Sequence, residues 1–140
     1  MQIYNFLKKH KLGLVYIPLI VYWIILFTAT SLPGRSLPKL FITFGDKLKH
    51  FAAYLILAIL LSITLRLQNK YPRLKDEYVK YTVVISSIYG IFDEIHQIFI
   101  PGRSFDLLDY VADLAGIALG TIVASRFIIN KERVASIKKY

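Results

Sequence analysis

The residues of this chain with the capacity for chemistry fall into three short groups. Asp46, His50 and Tyr54 follow one another at steps of four. Asp93 and Gln97 are four apart and Glu94 and Gln97 three apart, and Arg103 precedes Asp106, Asp109 and Asp113. Side chains three, four or seven positions apart share one face of a helix, so each group forms a polar stripe if its segment is helical. His50, Glu94 and Asp109 are the candidates for proton transfer or catalysis, because an imidazole beside carboxylates can act as a general base or as a metal ligand. Asp46, Tyr54, Gln97, Arg103 and Asp106 are the candidate ligand-binding residues. Among them Arg103 offers a planar fork suited to phosphate or carboxylate, or alternatively an ion pair with Asp106 or Asp109 that locks its loop. Asp106 and Asp109 with Asp93 or Glu94 make an oxygen-rich set of the kind that holds Mg²⁺ or Ca²⁺. The bland alternatives are an interfacial histidine at position 50 and polar residues that hydrogen-bond across helices. Ser104 lies close by without a triad to activate it.

The elements that must position these groups are apolar. The chain has 140 residues, of which 56% are hydrophobic, with a mean hydropathy of +0.51. A single domain of this size leaves much of its area exposed and could not hide four long apolar runs from water. The pattern predicts an all-α integral membrane bundle of four transmembrane helices in one domain, 1–140. Helix one covers Leu12 to Thr30 and is read as an uncleaved span, because it is longer than the ~7–15 apolar residues of a signal peptide. Pro18 is tolerated in it as in other membrane helices. A loop with Pro33, Gly34 and Pro38 leads to helix two over 46–66, whose apolar part is 51–65. The stretch 68–80 reads as a loop, and helix three takes 81–100 before Pro101 and Gly102 stop it. Helix four starts at Ser104 or Phe105, is amphipathic through Asp113 and apolar over 114–129.

Orientation follows from the basic residues. Thirteen of the 18 Lys and Arg fall in the N-terminal segment, the loop between helices two and three, and the C-terminal end from Arg126. The other side has Arg35, Lys39, Lys47, Lys49 and Arg103, together with Asp46, Asp93, Glu94, Asp106, Asp109 and Asp113. The positive-inside tendency therefore predicts both termini in the cytoplasm and the polar stripes at the outer face of a multi-pass protein of the cell membrane. A net charge of +9 suggests nucleic acid at first sight. The basic residues, however, lie between apolar runs and not on one water-facing surface, so the expected partners are membrane lipids, with no nucleic acid. The absence of cysteine excludes disulfides and thiolate metal sites.

Two blocks carry a family resemblance. Asp46-Lys-Leu-Lys-His50-Phe-Ala-Ala-Tyr54 resembles the first motif of the VanZ-like membrane proteins. Asp93-Glu94-Ile-His-Gln97-Ile-Phe-Ile-Pro101-Gly102-Arg103-Ser-Phe-Asp106-Leu-Leu-Asp109, continued by Asp113, Gly116 and Gly120, is similar to the longer one. The family pattern commonly has Asn where this chain has Asp113. The resemblance implies an association with low-level resistance to the glycopeptide antibiotic teicoplanin. The outer position of the polar stripes fits work on a cell-envelope component, so the expected partner is a lipid-linked or phosphorylated envelope precursor, or the glycopeptide itself. If the protein is an enzyme, a hydrolase or transferase acting at the membrane interface is expected. The alternatives are a structural membrane partner whose polar cluster only packs the helices, and a small transporter. The nearly uniform apolar character of the inner halves of helices two and four speaks against the transporter.

Overall fold

The computed structural model describes residues 2–33 and 44–137, with side chains over 6–33 and 45–130. All regular structure in them is helical: α1 Gln2–Lys9, α2 Ile17–Thr30, α3 Phe44–Leu67, α4 Pro72–Asp76, α5 Tyr78–Gln97 and α6 Leu107–Ile137. Gly34, Arg35, Pro38 and Lys39, and the side chains of the C-terminal basic residues beyond Arg126, lie outside the described residues.

The chain stays helical between α1 and α2 through a wide π-helical turn, Leu12–Tyr16, which delivers Pro18 into the first turn of α2. The Ile17 N–H donates to Leu12 O, five residues back. The wide turn therefore sits where the proline would otherwise break the ladder. The resulting span, Leu12–Thr30, is one of three among the described residues that are long and apolar enough to cross a membrane, with Gly45–Leu67 and Leu107–Asn130. α5 has a comparable length of 20 residues, but it carries Lys80, Asp93 and Glu94.

Several boundaries differ from the sequence expectation for local reasons. α5 begins at Tyr78, because the stretch 68–80 contains α4, a short helix opened by Pro72 at its first position. It ends at Gln97 and not at residue 100. A turn with Ile100 N–H on Gln97 O and Arg103 N–H on Ile100 O follows, and Gly102 supplies its left-handed residue at φ 76°. α6 starts at Leu107, where Asp106 caps it by accepting the Leu108 N–H at 2.8 Å. It continues past residue 129 to Ile137.

The packing inverts that of a water-soluble bundle. Ser62, Thr82, Ser86, Asp93, Glu94, Gln97, Asp113 and Thr121 are buried, while Ile20, Ile24, Ile88, Ile122 and Ile129 are exposed. Water would not leave such an arrangement stable, whereas lipid solvates the outside and forces polar groups to find one another inside. α5 turns Tyr78, Thr82, Ser86, Gly90, Asp93, Glu94 and Gln97 inward. Ser62 meets Thr82 at 3.1 Å across α3 and α5.

The tightest pair is α3 with α6. Its register is set by Gly116 and Gly120, since a Cβ at the first would run into the Phe51 carbonyl and one at the second into the Leu55 carbonyl. The G-x-x-x-G of helix four therefore serves packing within the bundle. α2 joins through Tyr22, whose hydroxyl donates to Ala53 O at 2.9 Å, and through Trp23, which meets Tyr89 edge-on at 5.5 Å. These contacts bring the ends of α2 and α5 and the starts of α3 and α6 together at one end of the bundle.

Candidate functional site

At that end the three polar stripes converge on His50. The first turns of α3 carry Asp46, Lys47 and His50, the last turns of α5 carry Asp93, Glu94 and Gln97, and the start of α6 carries Asp106, Asp109 and Asp113. His50 Nδ1 lies 3.0 Å from Asp113 Oδ1 and 3.9 Å from Glu94 Oε1, and Nε2 lies 3.8 Å from Asp109 Oδ2. Helical periodicity explains the set, because Asp109 and Asp113 are one turn apart on the face of α6 that packs on α3. The close approach at Gly116 holds that face against α3.

Lys47 is the bridge of the cluster. Its ammonium lies 2.7 Å from Asp106 Oδ2 and 2.6 Å from Asp109 Oδ1. That hydrogen bond holds the Asp106 carboxyl below the ordinary carboxylate range. The sequence expectation had Arg103 paired with Asp106 or Asp109, and the structure corrects it. Arg103 NH1 donates to Gln97 Oε1 at 3.3 Å, while Nε and NH2 reach Leu32 O and Ala29 O, each at 3.4 Å. Ala29 lies in the last turn of α2 and Leu32 just beyond it, so a guanidinium there adds donors and opposes the negative end of the helix dipole. The oxygen-rich set of Asp106 and Asp109 with Asp93 or Glu94 is likewise divided. Lys47 takes up the first two, and Glu94 Oε2 accepts the Asp106 backbone N–H at 3.0 Å.

Beside the cluster is a cavity of about 330 Å³. Leu26, Ala29 and Ala53 form its apolar wall, and Asp46, Lys49, His50, Tyr54, Asp93 and Arg103 bring polar groups into it. The Tyr54 hydroxyl is buried without a hydrogen-bond partner, as are Gln97 Nε2, Glu94 Oε1 and Asp113 Oδ2. Buried polar atoms left unpaired cost about 1–3 kcal/mol each, so a polar ligand that meets several of them at this site gains that much affinity from each.

All eight candidate residues read from the sequence, Asp46, His50, Tyr54, Glu94, Gln97, Arg103, Asp106 and Asp109, lie in this cluster or line this cavity. Asp46 reaches Lys49 Nζ at 3.3 Å, lines the cavity, and has a carboxylate oxygen within 4.8 Å of donor atoms of His50 and Asp109. Two participants were not singled out as site residues: Asp113 is the carboxylate nearest His50, and Lys47 is the bridging cation. Their signals were present, since Lys47 precedes His50 by three and Asp113 follows Asp109 by four, yet spacing alone does not say which neighbour a side chain meets. Asp93, named above as an alternative member of the oxygen-rich set, lines the cavity. His96 stacks on Phe92 and packs against Phe27.

No curated protein and no solved structure matches the chain. The family model described as VanZ/LLP1 matches residues 4–129, a range that includes α2, α3, α5, most of α6 and every residue of the cluster. The chain belongs to the VanZ/LLP1 family.

Proposed function

We propose that this chain crosses the cell membrane four times with both termini in the cytoplasm, and that its polar cluster faces the cell envelope. There it binds a lipid-linked or phosphorylated envelope component. The observation that carries this reading is the cavity of about 330 Å³, apolar along Leu26, Ala29 and Ala53 and ending at Lys49, His50 and Arg103. This combination suits an acyl or prenyl chain whose anionic group meets the basic residues, and the volume lies at the small end of the ~300–1,000 Å³ usual for ligand sites. α5 makes the fourth crossing. Its Asp93 and Glu94 are tolerable in a span because they face the bundle interior near its end. Family membership fits the association of VanZ proteins with low-level resistance to teicoplanin, a glycopeptide that acts outside the membrane. Should the bound component be modified, His50 is the base, with Glu94 and Asp109 beside it, in a hydrolase or transferase reaction at the interface.

The test is binding of the protein in lipid nanodiscs to a polyprenyl phosphate, to phosphatidylglycerol and to teicoplanin, compared with His50→Ala and Arg103→Ala. Saturable binding of one of the three, weakened at least ~10-fold in both folded variants, is expected, which corresponds to loss of one charged contact worth about 1.4 kcal/mol or more. Equal binding by wild type and variants would remove the proposal. A second reading, that the cluster serves only to hold the helices, draws on the Arg103 bonds to the end of α2 and the Glu94 bond to the Asp106 N–H. In that case the variants lose folded yield, and the wild type binds none of the three.

A further inference from the structure

The two ring nitrogens of His50 keep different company. On the Nε2 side, Asp109 is already neutralised by Lys47 at 2.6 Å. On the Nδ1 side lie Asp113 and Glu94, whose side chains are 0% exposed. Among the described residues neither carboxylate has a Lys or Arg within ion-pair distance, and Asp113 Oδ2 and Glu94 Oε1 have no hydrogen-bond partner. Two carboxylates and one imidazole thus share a buried volume, and with both carboxylates ionised negative charge is in excess whatever proton the imidazole carries. Uncompensated charge in such a place costs several kcal/mol per ion. A dication would cancel it.

The geometry points to that ion. One donor atom from each of His50, Glu94 and Asp113 can be chosen so that all three lie within 4.8 Å of one another. Tetrahedral coordination by nitrogen and oxygen at ~2.0–2.1 Å needs donor separations of about 3.4 Å. The observed 3.0 Å from Nδ1 to Asp113 and 3.9 Å from Nδ1 to Glu94 bracket this value. The orienting contact that metal-binding carboxylates usually have is in place too, because the Asp106 N–H fixes Glu94 through Oε2 and leaves Oε1 directed at His50.

We propose that His50 Nδ1, Glu94 Oε1 and an Asp113 carboxylate oxygen bind one divalent transition-metal ion, with Zn²⁺ the best match. Mg²⁺ and Ca²⁺ call for six or more oxygens, and the site offers three protein donors of which one is imidazole. Three protein ligands also leave a position open for water or an anionic oxygen, and His50 forms part of the cavity wall. The inference goes beyond the proposed envelope ligand and holds or fails without it; with a metal on Nδ1, His50 serves as a ligand and not as a base.

The experiment uses the full chain, freed of any affinity tag, stripped with chelator and kept in detergent without envelope lipid. Zn²⁺, Mn²⁺ and Mg²⁺ are titrated against a chromogenic chelator, and X-ray absorption is recorded on the Zn²⁺-loaded wild type. Expected are one Zn²⁺ per chain, a coordination sphere of oxygens with a single imidazole, and affinity reduced about 10-fold or more in Glu94→Gln and Asp113→Asn. His96→Gln should bind like wild type. The proposal is overturned by failure of the folded wild type to take up stoichiometric Zn²⁺ or Mn²⁺, by a sphere with no imidazole or more than one, or by full affinity in both carboxylate variants. Envelope-lipid binding is measured separately, so each reading can fail alone.

Discussion

At the scale of single residues, one ammonium takes the place in the cluster that the sequence reading offered to Arg103. Lys47 satisfies Asp106 and Asp109, which frees Arg103 to finish α2. The pH dependence of this pairing has a definite sign. The folded pKa of Asp106 is depressed by the Lys47 hydrogen bond, so its stabilising effect is fully present above the ordinary carboxylate pKa of ~3.9 and is lost as pH falls through the folded value. Thermal unfolding in detergent should thus show an acid-side fall in Tm below about pH 4 that is shallower in Lys47→Met. Because Asp106 is 43% exposed, high salt should weaken the effect in the wild type. A second residue-scale prediction concerns Glu94. Glu94→Ala strips the Asp106 N–H of its acceptor and should lower stability by about 1–3 kcal/mol, whereas Glu94→Gln keeps an acceptor oxygen and should cost less. Denaturant titration of the two variants would separate them, and equal losses would mean that the hydrogen bond is not what holds the start of α6.

At the scale of elements, the α3–α6 contact is the frame on which the site is built, because it carries His50 on one helix and Asp109 and Asp113 on the other. Gly116 has no room for a side chain against the Phe51 carbonyl and Leu55 N–H, and that backbone cannot move aside as a flexible side chain would. Gly116→Ala should therefore cost about 1–3 kcal/mol by overpacking and should pull His50 away from Asp113. Gly13 lies in the π-helical turn with nothing within 4 Å of where a Cβ would stand. Gly13→Ala should accordingly be tolerated, and can raise stability by up to about 1 kcal/mol through the loss of unfolded-state freedom. Unfolding midpoints of the pair, measured in one detergent, check both. The reverse ranking would mean that the close approach of α6 to α3 is absent in solution.

At the scale of the whole molecule, the prediction is topological. The protein has no cysteine, so single cysteines can be introduced without background. Asn69 lies between α3 and α4 and Ser104 between α5 and α6, and both are exposed. In intact cells a membrane-impermeant maleimide should label Ser104→Cys at once and Asn69→Cys only after permeabilisation. Labelling of both from outside would break the four-span topology, and the opposite pattern would put the cluster at the cytoplasmic face. The inverted distribution of polar and apolar surface makes the same demand of the solvent: the exposed isoleucines of α2, α5 and α6 need lipid around them.

The sequence by itself pointed to a helical membrane protein with four crossings, of which three segments among the described residues are long and apolar enough for a bilayer, and to polar residues in stripes near helix ends. Period and length carry that information locally, and the motif blocks pointed to the family. The sequence left open the pairing inside the cluster. Asp113, Asp109 and Glu94 are equally plausible partners for His50 by spacing, and only the rotation of α6 against α3, fixed where Gly116 and Gly120 admit no side chain, brings Asp113 to 3.0 Å. Lys47 reaches Asp106 and Asp109 for the same reason, across 59 and 62 residues of chain. Such contacts between distant segments depend on helix rotation and depth, two quantities that a periodic pattern leaves free and tertiary packing decides.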